Sequence, residues 1–202
     1  MNEKLKKYQG LIFDMDGTLI DTMPAHSQAW QTTADKFGFE FEASWLHSLG
    51  GMPSPKIVLE VNRRFGLELD ATEVSQFKMQ QFANIESKGE LIDVTHQVLV
   101  DYQQQKKVAI GTGAQRETAH NLLKAKGVFD VFDAVVTATE VTRHKPFPDT
   151  FLLAAEMMNC EPNQCVVFED TLLGLQAAHA AGMDCFLVTE TGLVFKPLHE
   201  QS

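Results

Sequence analysis

Two carboxylates two residues apart, Asp14 and Asp16, directly follow an apolar run at residues 10–13. Such a run is typical of a fully buried strand, and side chains at i and i+2 of a strand project to the same side. Both carboxylates can therefore face one pocket just beyond the strand, where Gly17 lets the chain turn. Because two neighbouring anions repel, the pattern indicates a site that holds a proton or a cation. The alternative is a strand that ends in an ordinary solvated Asp-Gly turn.

The elements that must position this pair can be read from the rest of the chain. A first strand is predicted at residues 11–15, and short apolar runs in the second half predict four more. Amphipathic helical stretches separate these runs, which implies parallel pairing with right-handed crossovers. The sequence therefore predicts an α/β fold with a doubly wound, Rossmann-like parallel sheet. The later strands are expected at residues 108–113, 134–138, 165–170 and 185–188, with helices near 91–105, 115–126, 148–159 and 172–181.

The segment between the first strand and residue 88 has a helical pattern throughout. Pro24 fits the first turn of one helix and Ser54-Pro55 opens a second. Asp70 with Glu73 has the spacing of a capping box at the start of a third. We therefore predict a helical cap at residues 21–88, inserted into a catalytic core formed by residues 1–20 and 89–202.

Polar residues follow the other predicted strands at equivalent positions. Thr112 follows the second, Lys145 lies in the loop after the third, and Glu169 and Asp170 end the fourth. Ligands of open parallel sheets bind beyond the carboxyl ends of the strands. The coincidence of four polar positions therefore favours a functional site over a solvated turn.

The types of these residues indicate phosphoryl transfer. Converging carboxylates need a hard divalent cation, and an oxygen-only site that meets phosphate suits Mg²⁺. An aspartate can attack phosphorus to give an aspartyl-phosphate, while a second acid transfers protons to the leaving oxygen and from water. A lysine, a threonine hydroxyl and backbone N–H groups can hold the phosphoryl oxygens.

Four segments, in order and over nearly the whole chain, resemble the motifs of the haloacid dehalogenase superfamily. The helical insertion is similar to the cap of its β-phosphoglucomutase-like branch, and the chain resembles small bacterial sugar phosphatases of the fructose-1-phosphatase type. The matching segments are Asp14-Met15-Asp16-Gly17-Thr18, the stretch at Thr112, Lys145-Pro146 and Phe168-Glu169-Asp170.

The resemblance implies a role for each matched residue. Asp14 would be the nucleophile and a metal ligand, and Asp16 the general acid/base, which also binds the metal through its backbone carbonyl. Asp170 would be a further Mg²⁺ ligand, with Glu169 a direct ligand or beside it. Phosphate would be bound by Thr112, Gly113 and Lys145.

The sequence of the predicted cap does not determine the substrate. Related mutases carry an arginine in the cap, at the position where this chain has Ser54. Serine cannot clamp a second phosphate, which favours water as the acceptor and a small phosphorylated sugar or sugar alcohol as substrate. A phosphosugar mutase and a non-enzymatic phospho-acceptor remain alternatives. His26 and Lys78 in the cap are candidates for substrate binding, although a packed histidine and a solvated lysine are the ordinary interpretations.

Bulk composition limits the partners. The chain has 202 residues, with 17 Lys and Arg against 27 Asp and Glu, giving a net charge of −10. That charge argues against nucleic acid and anionic membranes as partners. Three cysteines in no metal-ligand spacing are expected to be free thiols in a reducing compartment. We expect a cytoplasmic monomer whose partner is a small phosphorylated metabolite.

Overall fold

The computed structural model describes residues 2–199, and its centre is one six-stranded sheet in the order β3-β2-β1-β4-β5-β6. The first five strands are parallel to their neighbours, and β6 is antiparallel to β5. The predicted doubly wound α/β fold is confirmed. The strands are β1 (Gly10–Phe13), β2 (Lys107–Gly111), β3 (Ala134–Val136), β4 (Cys165–Glu169), β5 (Asp184–Thr189) and β6 (Gly192–Lys196).

Helices cover both faces of this sheet, and a block of four of them is inserted between β1 and the helix that leads into β2. Within the described chain, none of the helices is both long and apolar enough to cross a membrane. The helices are α1 (Asn2–Leu5), α2 (Met23–Phe37), α3 (Ala43–Ser48), α4 (Ser54–Phe65), α5 (Ala71–Asn84), α6 (Asp93–Tyr102), α7 (Arg116–Ala125), α8 (Asp149–Met157) and α9 (Leu172–Ala180), with short 3₁₀ turns at Phe129–Val131 and Pro162–Gln164.

The central strand β1 is buried along its whole length because β2 and β4 flank it and helices cover both of its faces. Its residues alternate between the two sides of the sheet: Leu11 and Phe13 join one apolar cluster, and Ile12 joins the other. The Phe13 ring stacks on Phe168, which in turn stacks on Phe186, so three adjacent strands are joined by aromatic contacts. These contacts fix the end of β1, from which Asp14 emerges.

Strand β6 was not predicted. It forms a hairpin with β5 through a turn in which Gly192 has a φ of 112°. The strand lies at the edge of the sheet with one neighbouring strand, and it is only partly buried, unlike the fully buried central strand β1.

The inserted helices α2–α5, which we call the helical insertion, carry a separate apolar cluster that includes Trp30, Val58 and Val61. As predicted, Pro24 lies in the first turn of α2, and Ser54-Pro55 open α4. Gly38 ends α2 and Gly66 ends α4 in the left-handed conformation, and the Asp70 carboxylate accepts hydrogen bonds from the first turn of α5. The insertion thus has its own core, separate from the clusters of the sheet.

Candidate active site

The candidate site lies where β1 ends, between its two parallel neighbours. The Asp14 N–H donates to the Phe168 carbonyl at 2.9 Å, which extends the pairing with β4 by one residue. Asp14 therefore leaves the sheet beside Thr112, which follows β2, and Glu169, which ends β4. This is the edge at which parallel sheets bind ligands.

Lys145 joins two of these carboxylates. Its Nζ donates to Asp14 Oδ1 and to Glu169 Oε1, each at 2.6 Å. The three side chains are almost completely buried, with 1–4% of each exposed. Two carboxylates that face the same buried ammonium form a charge-assisted network whose geometry is fixed by packing.

The second oxygen of Glu169 is also fully occupied. Glu169 Oε2 accepts from the backbone N–H groups of Asp170 and Thr171 at 2.9 and 2.8 Å, and from the Thr171 hydroxyl at 2.9 Å. Thr171 also caps α9 by accepting from the Gly174 N–H. Glu169 is therefore a fixed acceptor that holds Lys145 in place from the side opposite Asp14.

Asp170, which is partly buried, completes an acidic group with Asp14 and Glu169. Carboxylate oxygens of Asp14, Glu169 and Asp170 lie within 4.8 Å of one another, an oxygen-only set that fits a hard divalent cation. Thr18 donates to Asp170 Oδ1 at 3.1 Å. Gly17 has a φ of 79°, and a Cβ there would lie 2.3 Å from Asp170 Oδ2, so glycine is needed for this approach.

The charged side chains of this group shift one another's pKa values. Burial raises the pKa of Asp14 well above its usual value; the nearby carboxylates Glu169 and Asp170 add to the rise, and Lys145 opposes it. Burial and the charge of Glu169 raise the pKa of Asp170 to about 7. Burial acts against a charged Lys145, but the two carboxylates that it contacts outweigh burial and raise its pKa. The group therefore carries excess negative charge, which a bound cation would offset.

Asp16 points toward the helical insertion and has different partners. Its Oδ1 accepts from the Thr22 hydroxyl at 2.7 Å and lies 3.3 Å from His26 Nε2. His26 Nδ1 is 2.7 Å from Lys78 Nζ, and the His26 ring stacks on Phe82. Because an ammonium only donates, Nδ1 is the acceptor and the Nε2 hydrogen points to Asp16.

This chain of contacts changes all three pKa values. Burial alone would raise the pKa of Asp16, but the hydrogen bonds from His26 and Thr22 and the charge of Lys78 lower it. Burial and the charge of Lys78 lower the pKa of His26, so its ring is neutral near pH 7. Burial lowers the pKa of Lys78 to about 8. The structure therefore contradicts the solvated interpretation of Lys78, whose side chain is 2% exposed between Trp30 and Phe82.

A cavity of about 880 Å³ joins the strand ends to the helical insertion. Asp14, Asp16, Thr112 and Gly113 lie at its floor, and Thr112 is fully buried, with its hydroxyl oxygen accepting from the Ala114 N–H at 3.0 Å. The hydroxyl hydrogen of Thr112 thus remains available for a ligand. The opposite wall comes from the insertion and is mostly apolar: Trp30, Phe41, Leu46, Met52, Ile57 and Met79.

The comparisons with known proteins agree with this geometry. Residues 11–188 match the haloacid dehalogenase-like hydrolase family. The chain belongs to this family. It is 40% identical to the fructose-1-phosphate phosphatase YqaB of Escherichia coli (strain K12) over 187 residues, which cover 89% of this chain and 95% of the relative.

Two further matches extend the comparison. This hydrolase is 31% identical to the validoxylamine A 7'-phosphate phosphatase of Streptomyces hygroscopicus subsp. limoneus over 193 residues, covering 91% of this chain and 87% of the relative. The crystal structure of β-phosphoglucomutase (pgmB) from Clostridium difficile shares its fold, with a TM-score of 0.80 at 24% identity, covering 91% of this chain and 85% of that chain. The predicted family, its β-phosphoglucomutase-like branch and the assignment as a phosphoric monoester hydrolase are confirmed.

The structure brings together most of the predicted site residues of this hydrolase, and it adds three threonines that sequence reasoning did not use. Thr22 lies at the N-cap position of α2, but its side chain makes no capping bond and instead donates to Asp16. Thr18 and Thr171 bind the carboxylates of Asp170 and Glu169. In the sequence, Thr18 ends the first matching motif, and Thr171 directly follows the predicted acids Glu169 and Asp170.

Proposed function

We propose that this hydrolase is a Mg²⁺-dependent phosphatase of a small phosphorylated sugar or sugar alcohol that acts through an aspartyl-phosphate on Asp14. The observation that carries the proposal is the buried arrangement in which Lys145 contacts Asp14 and Glu169 beside Asp170. An aspartate on a fixed ammonium, next to an oxygen-only cation site, has the groups that phosphoryl transfer requires.

The donor set fits Mg²⁺. Asp14 and Asp170 would hold the cation through their side chains and Asp16 through its backbone carbonyl, while Glu169, whose oxygens are already engaged, would stand beside them. The bound cation would offset the charge that raises the pKa of Asp14 and would neutralise charge on the phosphoryl oxygens.

In the first step, a carboxylate oxygen of Asp14 attacks phosphorus and the bond from phosphorus to the leaving oxygen breaks. Asp16 gives its proton to that oxygen, so the sugar leaves as a neutral alcohol. Lys145 and the Thr112 hydroxyl, with the Gly113 N–H, hold the phosphoryl oxygens. In the second step Asp16 takes a proton from water, which attacks the same phosphorus and releases phosphate from Asp14.

We propose that residues 21–88 act as a cap, closing the cavity over the substrate and excluding bulk water while the aspartyl-phosphate exists. His26 and Lys78 would orient Asp16 and contact hydroxyls of the leaving group from the cap side. The first helix of the cap begins directly after the segment that carries Asp16, so cap movement and the position of this acid are linked by the chain.

The charge distribution of the cavity favours hydrolysis over mutase chemistry. The described residues that line it include no arginine, and Ser54, at the position of the mutase clamp, contacts the sulfur of Met79. A mutase must hold a second phosphate at the far end of its site, and a serine beside apolar side chains supplies no charge for that. A neutral leaving group fits this wall better, and we propose a cytoplasmic, monomeric enzyme.

Replacing Asp14 by Asn tests the mechanism, with Asp21→Asn as the matched control, because Asp21 lines the same cavity outside the acidic group. Phosphate release from a panel of phosphorylated metabolites with Mg²⁺ should fall by on the order of 10³-fold or more in Asp14→Asn and persist in Asp21→Asn. Acid-quenched wild-type protein should carry a phosphoryl adduct on Asp14 by mass spectrometry. Retained turnover in Asp14→Asn would refute the nucleophile assignment.

The same panel separates the alternatives. A mutase would convert β-glucose 1-phosphate, with a bisphosphate primer, to glucose 6-phosphate faster than it releases free phosphate. A non-enzymatic phospho-acceptor would keep its phosphoryl group for hours. We expect neither, because Asp16 lines the same cavity as Asp14 and can serve there as the acid and base that hydrolysis needs.

A further inference from the structure

The loop between α3 and α4, residues 49–53, which we call the cap loop, lies directly on the catalytic end of the core. A Cβ on Gly50 would lie 3.0 Å from Thr171 Cγ2, and a Cβ on Gly51 would lie 3.0 Å from Lys145 Cδ. The cap loop thus touches the side chain of the buried ammonium and of the residue that fixes Glu169. Two consecutive glycines allow this contact because neither places a side chain between cap and core.

The closest approach is between two glycines. A Cβ on Gly113 would lie 2.2 Å from the Gly51 carbonyl oxygen and 2.7 Å from its carbonyl carbon, and the three nearest atoms all belong to Gly51. These are backbone atoms, so they cannot move aside as a flexible side chain could. Gly113 itself does not have a positive φ, so its own backbone conformation accepts an L side chain.

We propose that Gly113 is a positioning residue for the cap: its missing side chain forms the seat on which the Gly51 carbonyl rests when the cap closes over the phosphoryl group. The inference rests on the proposed phosphatase function, and it extends that function by assigning what limits closure. A methyl group at position 113 is compatible with the core and incompatible with the closed cap, so it selects the open state.

The contact between Gly113 and Gly51 links closure of the cap to the end of the cavity that would hold phosphate. Gly113 follows Thr112, and both line the cavity, while Gly51 on the other side of the contact also lies against the Lys145 side chain. A phosphoryl group held by Thr112 and Lys145 would therefore lie beneath a backbone lid. Because the contact is backbone against backbone, it would exclude water at that end regardless of which leaving group occupies the rest of the cavity.

Gly113→Ala tests this seat, with Gly111→Ala as the matched control. Both add one methyl group to the same segment, and alanine keeps the N–H that would bind phosphate. A Cβ on Gly111 would meet the Phe151 ring of the core at 2.9 Å and no atom of the cap among its three nearest. We therefore expect Gly111→Ala to lower the melting temperature more than Gly113→Ala does, because only the former disturbs the packing of the core.

Small-angle X-ray scattering with Mg²⁺ and inorganic phosphate should give a larger radius of gyration for Gly113→Ala than for wild type and Gly111→Ala. If the closed population falls about tenfold, kcat/KM for the best ester of the panel should fall about tenfold too. Scattering identical to wild type, or failure of Gly113→Ala to fold, would overturn the seat. If wild-type protein hydrolyses no ester, the proposed function fails, and the scattering comparison still decides the seat.

Discussion

Replacing Lys145 by Met removes the ammonium that joins Asp14 to Glu169 in the interior. Methionine has a similar length and no charge, so the substitution changes electrostatics more than packing. The two carboxylates would remain buried beside Asp170 without the cation that they share. Lys145→Met therefore tests whether this ion pair network holds the site together as well as binding phosphate.

The magnitude follows from burial. Removing one partner of a buried ion pair costs about 3–5 kcal/mol, because the remaining charge is left uncompensated. For a chain of this size that loss corresponds to a fall in Tm of about 6–20 °C. Lys107→Met is the matched control: Lys107 contacts Asp133 at the same distance of 2.6 Å, but with 55% and 31% of the two side chains exposed. Solvent screens such an exposed pair, so the loss of Tm in Lys107→Met should be much smaller.

Thermal and urea unfolding of the metal-free proteins would measure both losses, and a pH series adds a second criterion. In Lys145→Met the pKa of Asp14 in the folded state should rise further above its unfolded value of about 3.9. The folded state then binds more protons than the unfolded state, so stability falls as pH rises through that window. The loss in the free energy of unfolding relative to wild type should therefore be larger at about pH 8 than at about pH 5. A deficit equal to that of Lys107→Met, or one independent of pH, would refute the reasoning.

Three further results are expected. Lys78→Met should raise the pKa of Asp16, so the limb of the pH profile of kcat/KM that reports Asp16 moves to higher pH, and an unmoved profile would contradict the contact chain through His26. Mg²⁺ should raise Tm more at about pH 8 than at about pH 6, because the proton on Asp170, whose pKa is about 7, competes with the cation below that value; calorimetry with and without chelator measures the difference. Asp70→Ala removes a helix cap that accepts two backbone hydrogen bonds, so it should cost about 1 kcal/mol and about 2–4 °C in Tm while leaving kcat at low temperature unchanged.

The sequence predicted the inner strands because each is a continuous apolar run that needs burial on both faces. The apolar run that starts at Val108 lies in β2, and the run that starts at Cys165 forms β4. Both strands are parallel neighbours of β1. The edge strand β6 has only the short apolar run Leu193-Val194-Phe195, in which Val194 is exposed, and it pairs with β5 through a hairpin turn.

The candidate site, too, could be predicted only in part from the sequence. Acids and a lysine at strand ends were predictable, because a parallel sheet brings its carboxyl ends to one edge. The direction in which each side chain points was not. Thr22 occupies a helix start, where capping is the ordinary role, yet its hydroxyl is directed to Asp16. A rotamer choice of this kind depends on the three-dimensional position of Asp16, which no local pattern encodes.

The pKa values of Asp14 and Asp16 are shifted in opposite directions, and this difference bears on the mechanism. Burial with other carboxylates raises the pKa of Asp14, whereas contacts with His26, Thr22 and Lys78 lower that of Asp16. Asp16 is therefore ionised between turnovers, which suits the step that takes a proton from water and opposes the step that gives one to the leaving oxygen. If expulsion of the alcohol limits turnover, kcat rises as pH falls toward the pKa of Asp16; if hydrolysis of the aspartyl-phosphate limits it, kcat falls over the same range. The direction of that limb thus identifies the slow step.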